Sequence, residues 1–596
     1  MASRKRRVPG APKRGDYSAR NATGLRQGLA NYGDAGFSLF LRKAFIKAGG
    51  YSDDALDRPI VGITNTFSDY NPCHGNVPDL IESVKRGVML AGGLPMVFPT
   101  ISIGESFAHP TSMFLRNLMA MDTEEMMKAQ PMDSVVLIGG CDKTLPAQVM
   151  AAASTDLPAI ILQTGPMVVG NHKGEVLGAC TDCRRMWAQH RAGDIDLVEI
   201  ETISGRLCPS VGTCSVMGTA STMACVVEAL GLALPFSAAA PAPLADRRRI
   251  AEASGKRATE IAIAGTPKPS DLITPASVRN AMIVLQAIGG STNGLIHLIA
   301  IAGRAGVPFD LDAFDQLGRE IPVLLNLKPS GAHYMEHLHH AGGLPALMRE
   351  LTAFLDLTAP NISGGTLGDA IASAEHVPNQ DVIRSFASPL KPEGAMAILH
   401  GNLAPLSAVI KHSAASPHLM RHTGRAVVFD SIEDMTNRID DPNLDVTPDD
   451  ILVLRNAGPK GAPGMPEAGY LPIPMKLARQ GVKDMVRISD ARMSGTAFGT
   501  IVLHIAPESA VGGPLAIVQN GDQILLDVEG RRIELLIDEA ELQRRLAALE
   551  QSPPHRETPH RGYAKLFEDS VLQADQGCDF DFLLRDGAPT PSKKEL

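Results

Sequence analysis

Three thiols and a handful of oxygen donors stand where a chain places chemistry. Cys73 lies in Asn71-Pro-Cys-His74, a polar turn after an apolar run that ends near Thr64. Cys141 opens Cys141-Asp142-Lys143, which puts a thiol, a carboxylate and an amine side by side after the run Val135 to Ile138. Adjacent side chains at a strand end can serve neighbouring metal centres. Cys214 sits in Cys208-Pro-Ser-Val-Gly-Thr-Cys214-Ser-Val-Met-Gly218, ahead of an apolar helix predicted for residues 219 to 232, and a helix N-terminus favours thiolate. Separations of 68 and 73 residues match no local zinc or ferredoxin spacing, so spacing alone leaves a shared centre open. Cys180-Thr-Asp-Cys183 has the spacing of a zinc or redox motif, but no second pair accompanies it, and it reads as structural. Cys225 falls inside the apolar helix and reads as core, while Cys578 has no partner in the sequence.

Glu105 follows the run Met96 to Ile103, and Glu467 lies in Gly461-Ala-Pro-Gly-Met-Pro-Glu467-Ala-Gly469. With Asp142 they are hard oxygen donors of the kind magnesium takes, although each alone reads as an ordinary solvated carboxylate. Ser494 occupies the glycine-flanked turn Ile488-Ser-Asp-Ala-Arg-Met-Ser494-Gly-Thr496-Ala-Phe-Gly499. A hydroxyl on such a turn is either catalytic or a cap.

The elements that must position these residues are legible in outline. From residue 58 to 310, short apolar runs such as Ile60 to Ile63, Val135 to Ile138 and Ala159 to Leu162 alternate with segments of helical period. That pattern predicts an α/β fold with a mainly parallel sheet, and such sheets bind ligands beyond the carboxyl ends of their strands. A Pro-containing stretch at Ser385 to Glu393 marks a boundary, giving an N-terminal α/β domain over 1–390 and a smaller C-terminal domain over 391–596. In the latter, short β-branched runs and the turn pairs Asn520-Gly521 and Glu529-Gly530 predict a mainly β, barrel-like domain that carries Ser494.

Composition narrows the function. At 44% hydrophobic and 20% charged residues the chain has ample core, and its net charge of -9 offers no general basic field for nucleic acid. Arg4, Lys5, Arg6, Arg7, Lys13 and Arg14 form a basic N-terminal tail with no apolar stretch after it, so it reads as a solvated tail and not as a secretory signal. Gly, Pro or charge interrupts every apolar stretch before membrane-spanning length. The expectation is a cytoplasmic protein whose eight cysteines are thiols or metal ligands, with a small-molecule substrate and neither nucleic acid nor membrane as partner.

Seven ordered motifs resemble the dihydroxy-acid dehydratase and phosphogluconate dehydratase superfamily across nearly the whole chain. They are Ser68-Asp-Tyr-Asn-Pro-Cys-His74, Gly139-Gly-Cys-Asp-Lys-Thr144, Gly212-Thr-Cys-Ser215, Gly289-Gly-Ser-Thr-Asn293, Gly401-Asn-Leu-Ala-Pro405, Gly464-Met-Pro-Glu467 and the Ser494 turn. The resemblance implies that Cys73, Cys141 and Cys214 hold one iron-sulfur cluster with an iron face open to substrate. It also implies a Mg2+ site of Glu105, Asp142, Glu467 and Lys143, the lysine serving as a carbamate that turns a cation into an oxygen ligand. Ser494 would be the base, as an alkoxide, with Thr496 a hydrogen-bond donor to substrate and His74 at the substrate pocket. Magnesium would stabilise the charge formed when C2 loses its proton, and iron would assist departure of the C3 hydroxyl. His74 stands where the branched-chain amino-acid branch has Asn, so the chain looks closest to the sugar-acid branch. That likeness favours 2Fe-2S over 4Fe-4S, a polyhydroxy acid such as xylonate or arabinonate as substrate, and a homodimer or homotetramer. Two other readings stand beside it: a dehydratase of 2,3-dihydroxyisovalerate, and an iron-sulfur redox sensor or electron carrier. A zinc hydrolase built on Cys180 and Cys183 ranks last.

Overall fold

The computed structural model describes residues 23–551 and 558–585, so the basic N-terminal tail lies outside the described residues. Four strands form the first sheet: β1 (Ile60–Asn65), β2 (Leu94–Pro99), β3 (Ser134–Gly139) and β4 (Ala159–Gln163), in the order β2-β1-β3-β4. Every pairing is parallel. Every residue of β3 and β4 is buried, as strands covered on both faces must be, and this explains why they read as unbroken apolar runs. Helices Val77–Leu90 and Ser112–Ala129 follow β1 and β2, and helix Thr144–Thr155 follows β3.

The α/β alternation ends earlier than expected. After a small hairpin of β5 (Gly170–His172) and β6 (Glu175–Leu177), the chain from Thr181 to Ala372 is helices and connections joined by isolated bridges. Helices such as Thr219–Ala229, buried at every position, are apolar all round, and periodicity cannot separate such a helix from a buried strand.

The remaining strands close a barrel: β7 (Ala397–Gly401), β8 (Ala404–Ile410), β9 (Arg421–Phe429), β10 (Ile451–Leu454), β11 (Arg487–Ser489), β12 (Ile501–Ala506), β13 (Gln523–Asp527) and β14 (Arg532–Leu535). Strands β9 to β12 run parallel, and hairpins β7–β8 and β13–β14 complete the circle, the second turning at Glu529-Gly530. Alternate residues serve two packed faces. Ala426, Val428 and Val453 join one apolar cluster, while Val427, Phe429, Leu452 and Leu454 join another.

The last described segment returns to the first half of the chain. Phe567, Val571, Cys578 and Phe580 pack with Met113, Ile296 and Met465. Asp579 pairs with buried Arg304 at 2.6 Å, and Arg116 donates to the carbonyls of Gly577 and Cys578, both at 2.8 Å. Among the described residues no helix is long and apolar enough to cross a membrane.

Candidate active site

The carboxyl ends of the parallel strands deliver the site. Cys73 stands in the short helix Pro72–His74 after β1, Glu105 in the turn Glu105–Phe107 after β2, and Cys141-Asp142-Lys143 between β3 and helix Thr144–Thr155. Glu467 and Ser494 follow β10 and β11, so the parallel strands of the barrel present their own carboxyl ends to the same place.

His74 locks the first two thiol loops together. It is fully buried; Nδ1 donates to the Thr66 carbonyl at 2.8 Å, and Nε2 accepts from the amides of Gly140 at 3.0 Å and Cys141 at 3.1 Å. Burial pushes its pKa down to about 4, which keeps the ring neutral and able to accept. Both ring nitrogens are therefore engaged inside the protein, by Thr66, Gly140 and Cys141. Gly140 must be glycine, because a Cβ there would sit 1.8 Å from Thr164 Oγ1.

The neighbouring Cys141 thiol together with burial pushes the Cys73 thiol well up. Cys214 is anchored to the end of β4 by Thr213, whose amide donates to Gly165 and whose carbonyl accepts from Met167, both at 2.9 Å. Gly212 takes φ +125° there, a conformation that L side chains rarely adopt. Contact with Cys180 lowers the Cys214 pKa, but burial and the nearby Cys73, Asp142 and Cys141 raise it further. Cys180, which the sequence assigned to a structural pair, has its Sγ 3.2 Å from Cys214 Sγ.

The carboxylates gather around two cations. Arg492, completely buried, reaches Glu467 at 2.6 Å and Glu105 at 3.2 Å. Lys143, also completely buried, stands 3.5 Å from both Glu105 and Asp142. Thr111 donates to Glu105 at 2.6 Å, and Ser112 donates to its other oxygen. Burial favours the neutral form of Glu105, but Arg492, Lys143 and these hydroxyls overcome it and hold the carboxyl well below the usual range. Glu467 moves up, because burial and neighbouring carboxylates outweigh Arg492. Among the described residues no three His, Cys, Asp or Glu side chains already converge to metal-binding distance. Arg492 and Lys143 bridge the carboxylates instead. The residue types nonetheless suit two centres: three thiols from three loops, and three carboxylates around a lysine.

The Ser494 turn is fixed from several sides. Ser494 Oγ is 2.8 Å from Thr496 Oγ1 and accepts from the Thr496 amide at 3.4 Å. Thr181, next to Cys180, donates to the Thr496 carbonyl at 3.0 Å. Asn293 donates to Met493 O at 3.1 Å and to Glu467 at 3.4 Å. Gly495 leaves no room for a side chain, since a Cβ would lie 2.5 Å from Ser291. Thiol loops, carboxylates and hydroxyl turn thus form one connected site.

Three residues of this site had no role assigned from the sequence: Arg492, Asn293 and Lys411, whose Nζ donates to the Gly495 carbonyl at 3.4 Å. Asn293 ends the segment Gly289-Gly-Ser-Thr-Asn293 and Arg492 lies in the Ser494 turn, and a charged or amide side chain among small residues in a buried turn is the signal that could have found them. Lys411 follows the Gly401-Asn-Leu-Ala-Pro405 motif at the end of β8.

Residues 58–370 match the dihydroxy-acid/6-phosphogluconate dehydratase N-terminal domain, and residues 381–578 match the corresponding C-terminal domain. The chain is 46% identical to an L-arabinonate dehydratase of Rhizobium leguminosarum, covering 93% of this chain and 95% of that protein. It is 45% identical to a 6-deoxy-6-sulfo-D-gluconate dehydratase of Pseudomonas putida, over 91% and 93% of the two chains. Against a dihydroxy-acid dehydratase of Moorella thermoacetica the identity is 38%, over 86% and 93%. Domain matches along most of its length and likeness over nearly the full length of these enzymes show that the chain belongs to the dihydroxy-acid/6-phosphogluconate dehydratase family and is a hydro-lyase that dehydrates a dihydroxy acid.

Proposed function

We propose that the substrate is a 2,3-dihydroxy sugar acid, with xylonate and arabinonate the leading candidates, and that the product is the 2-keto-3-deoxy acid. Greater identity to the two sugar-acid dehydratases than to the dihydroxy-acid dehydratase supports this choice. The observation that carries the mechanism is the Ser494 turn: Arg492 ties it to Glu105 and Glu467, and Thr181 and Thr496 tie it to the thiol segment.

Cys73, Cys141 and Cys214 would hold a 2Fe-2S cluster, and Glu105, Asp142, Glu467 and a carbamate of Lys143 would hold Mg2+. When bound, the cluster supplies a Lewis acid for the leaving hydroxyl and the cation supplies charge to stabilise the carboxylate and the C2 oxygen. Ser494 Oγ, as alkoxide, takes the proton from C2. The Thr496 hydroxyl and amide hold that oxygen in place and stabilise its charge. The C3 hydroxyl departs, so that one proton and one hydroxide leave as water, and the enol formed between C2 and C3 tautomerises to the keto acid. Burial of the turn excludes competing water.

The test is Ser494→Ala in anaerobically purified, metal-supplied protein. Loss of activity by at least about 100-fold with the visible absorbance of the cluster retained is the expected result. Activity within a few-fold of the unaltered protein would remove Ser494 from the mechanism.

A further inference from the structure

Lys411 is the buried cation that this mechanism does not use. It stands at the end of β8, is 1% exposed, and its Nζ donates to the carbonyl of Gly495 at 3.4 Å. While Ser494 is neutral, burial pushes the Lys411 ammonium down to about 7 and no carboxylate pulls it back; a negative charge on Ser494 raises it again, so the lysine holds its proton when the serine ionises. A buried ammonium without a counter-ion is expensive, and an apolar side chain of similar length would be cheaper at this place. A lysine that costs stability there calls for a function.

The contact indicates one. The Gly495–Thr496 peptide group takes the lysine on its carbonyl side and gives its N–H to Ser494 Oγ. A cation on the carbonyl strengthens the same peptide's N–H as a donor, because hydrogen bonds through one amide polarise each other. One peptide unit thus connects a buried positive charge to the hydroxyl that must carry negative charge. The other ionisable groups around this turn are committed elsewhere. Arg492 neutralises Glu105 and Glu467. Asp484 is held by Arg487 and by the amide and hydroxyl of Thr500. Burial keeps His412 neutral, with a pKa of about 4, and His504 neutral, with a pKa of about 3.

We propose that Lys411 is the positioning residue for Ser494, its ammonium acting across the Gly495–Thr496 peptide to stabilise the alkoxide that takes the substrate proton. This rests on Ser494 being the base. A charge that close also lowers the serine pKa through space, in a site where water does little to screen it.

The experiment compares the unaltered protein with Lys411→Met, Ser494→Ala and the double variant, all metal-supplied and handled anaerobically. It measures kcat and KM for arabinonate and xylonate from pH 6 to 10, thermal midpoint and cluster absorbance. The expected result for Lys411→Met is a fall in kcat of about 100-fold, as for loss of one donor to a developing anion, with KM changed by less than about 3-fold. The limb on which rate rises with pH moves at least about one unit higher, because a serine without its cation ionises later. The thermal midpoint stays level or rises, since a buried lone charge has been removed. The double variant is no slower than Ser494→Ala alone, because both changes act on one oxygen. Unchanged kcat in Lys411→Met would overturn the proposal, as would a loss that comes with a lowered thermal midpoint and an unmoved pH limb. An active Ser494→Ala variant, or an unaltered protein inactive on every sugar acid, would overturn the underlying mechanism and this proposal with it.

Discussion

Replacing His74 by Leu should loosen the Cys141 loop far more than its volume change suggests. The imidazole accepts from two buried amides, those of Gly140 and Cys141, and donates to the Thr66 carbonyl. Leucine fills similar space but offers neither acceptor nor donor. Leaving a buried polar group unpaired costs about 1–3 kcal/mol, so the two amides alone amount to about 2–6 kcal/mol. A chain of this length does not unfold in one step, so the assay is hydrogen exchange read on peptides spanning residues 134–155. Even 2 kcal/mol accelerates exchange there about 30-fold. The same variant tests the pH dependence. Burial holds the folded pKa of His74 at about 4 against an ordinary 6.5, so between those values the unfolded chain binds the extra proton. Stability contributed by the neutral ring is fully present above pH 6.5 and is lost as pH falls to about 4, up to roughly 3 kcal/mol in all. His74→Leu should flatten that part of the acid sensitivity. Exchange in this segment within about 3-fold of the unaltered protein, together with an unchanged acid profile, would show that His74 does not hold the Cys141 loop.

Three further outcomes follow from the same geometry. Arg492→Met leaves buried Glu105 and Glu467 without their bridging cation, and a broken buried pair of this kind costs roughly 3–5 kcal/mol, so the thermal midpoint should fall. Cys180→Ala should keep the iron content of the unaltered protein after anaerobic reconstitution, whereas loss of iron would make Cys180 a ligand beside Cys214. A chelator of divalent cations should abolish turnover while the visible absorbance persists, and Mg2+ should restore it; turnover that survives exhaustive chelation would count against the oxygen-donor site.

What the sequence shows of the site follows from local chemistry. Cys73, Glu105, Cys141 and Ser494 follow short apolar runs that stop at a polar or glycine-rich turn, and each of those runs is a parallel strand with its carboxyl end at the site. The barrel was legible for a similar reason: its short β-branched runs have room only for strands. The part His74 plays between the thiol loops was not legible, because residue type reveals that a ring carries two nitrogens but not that Thr66, Gly140 and Cys141 use both. Arg492, Asn293 and Lys411 went unassigned because their partners lie far along the chain. Arg492 and Glu105 are 387 residues apart, and Lys411 and Gly495 are 84 apart. The helical stretch from Thr181 to Ala372 read as continued α/β because helices buried on all sides lose the polar stripe that marks them.

The most direct test of the central claim is 2-keto acid formation by anaerobically purified, Mg2+-supplied protein given xylonate, arabinonate, gluconate and 2,3-dihydroxyisovalerate side by side. Turnover of a pentonate is expected with kcat/KM at least about tenfold above that for 2,3-dihydroxyisovalerate, a difference of about 1.4 kcal/mol that contacts to additional substrate hydroxyls readily supply. Preference for 2,3-dihydroxyisovalerate, or no keto acid from any of the four, would contradict it.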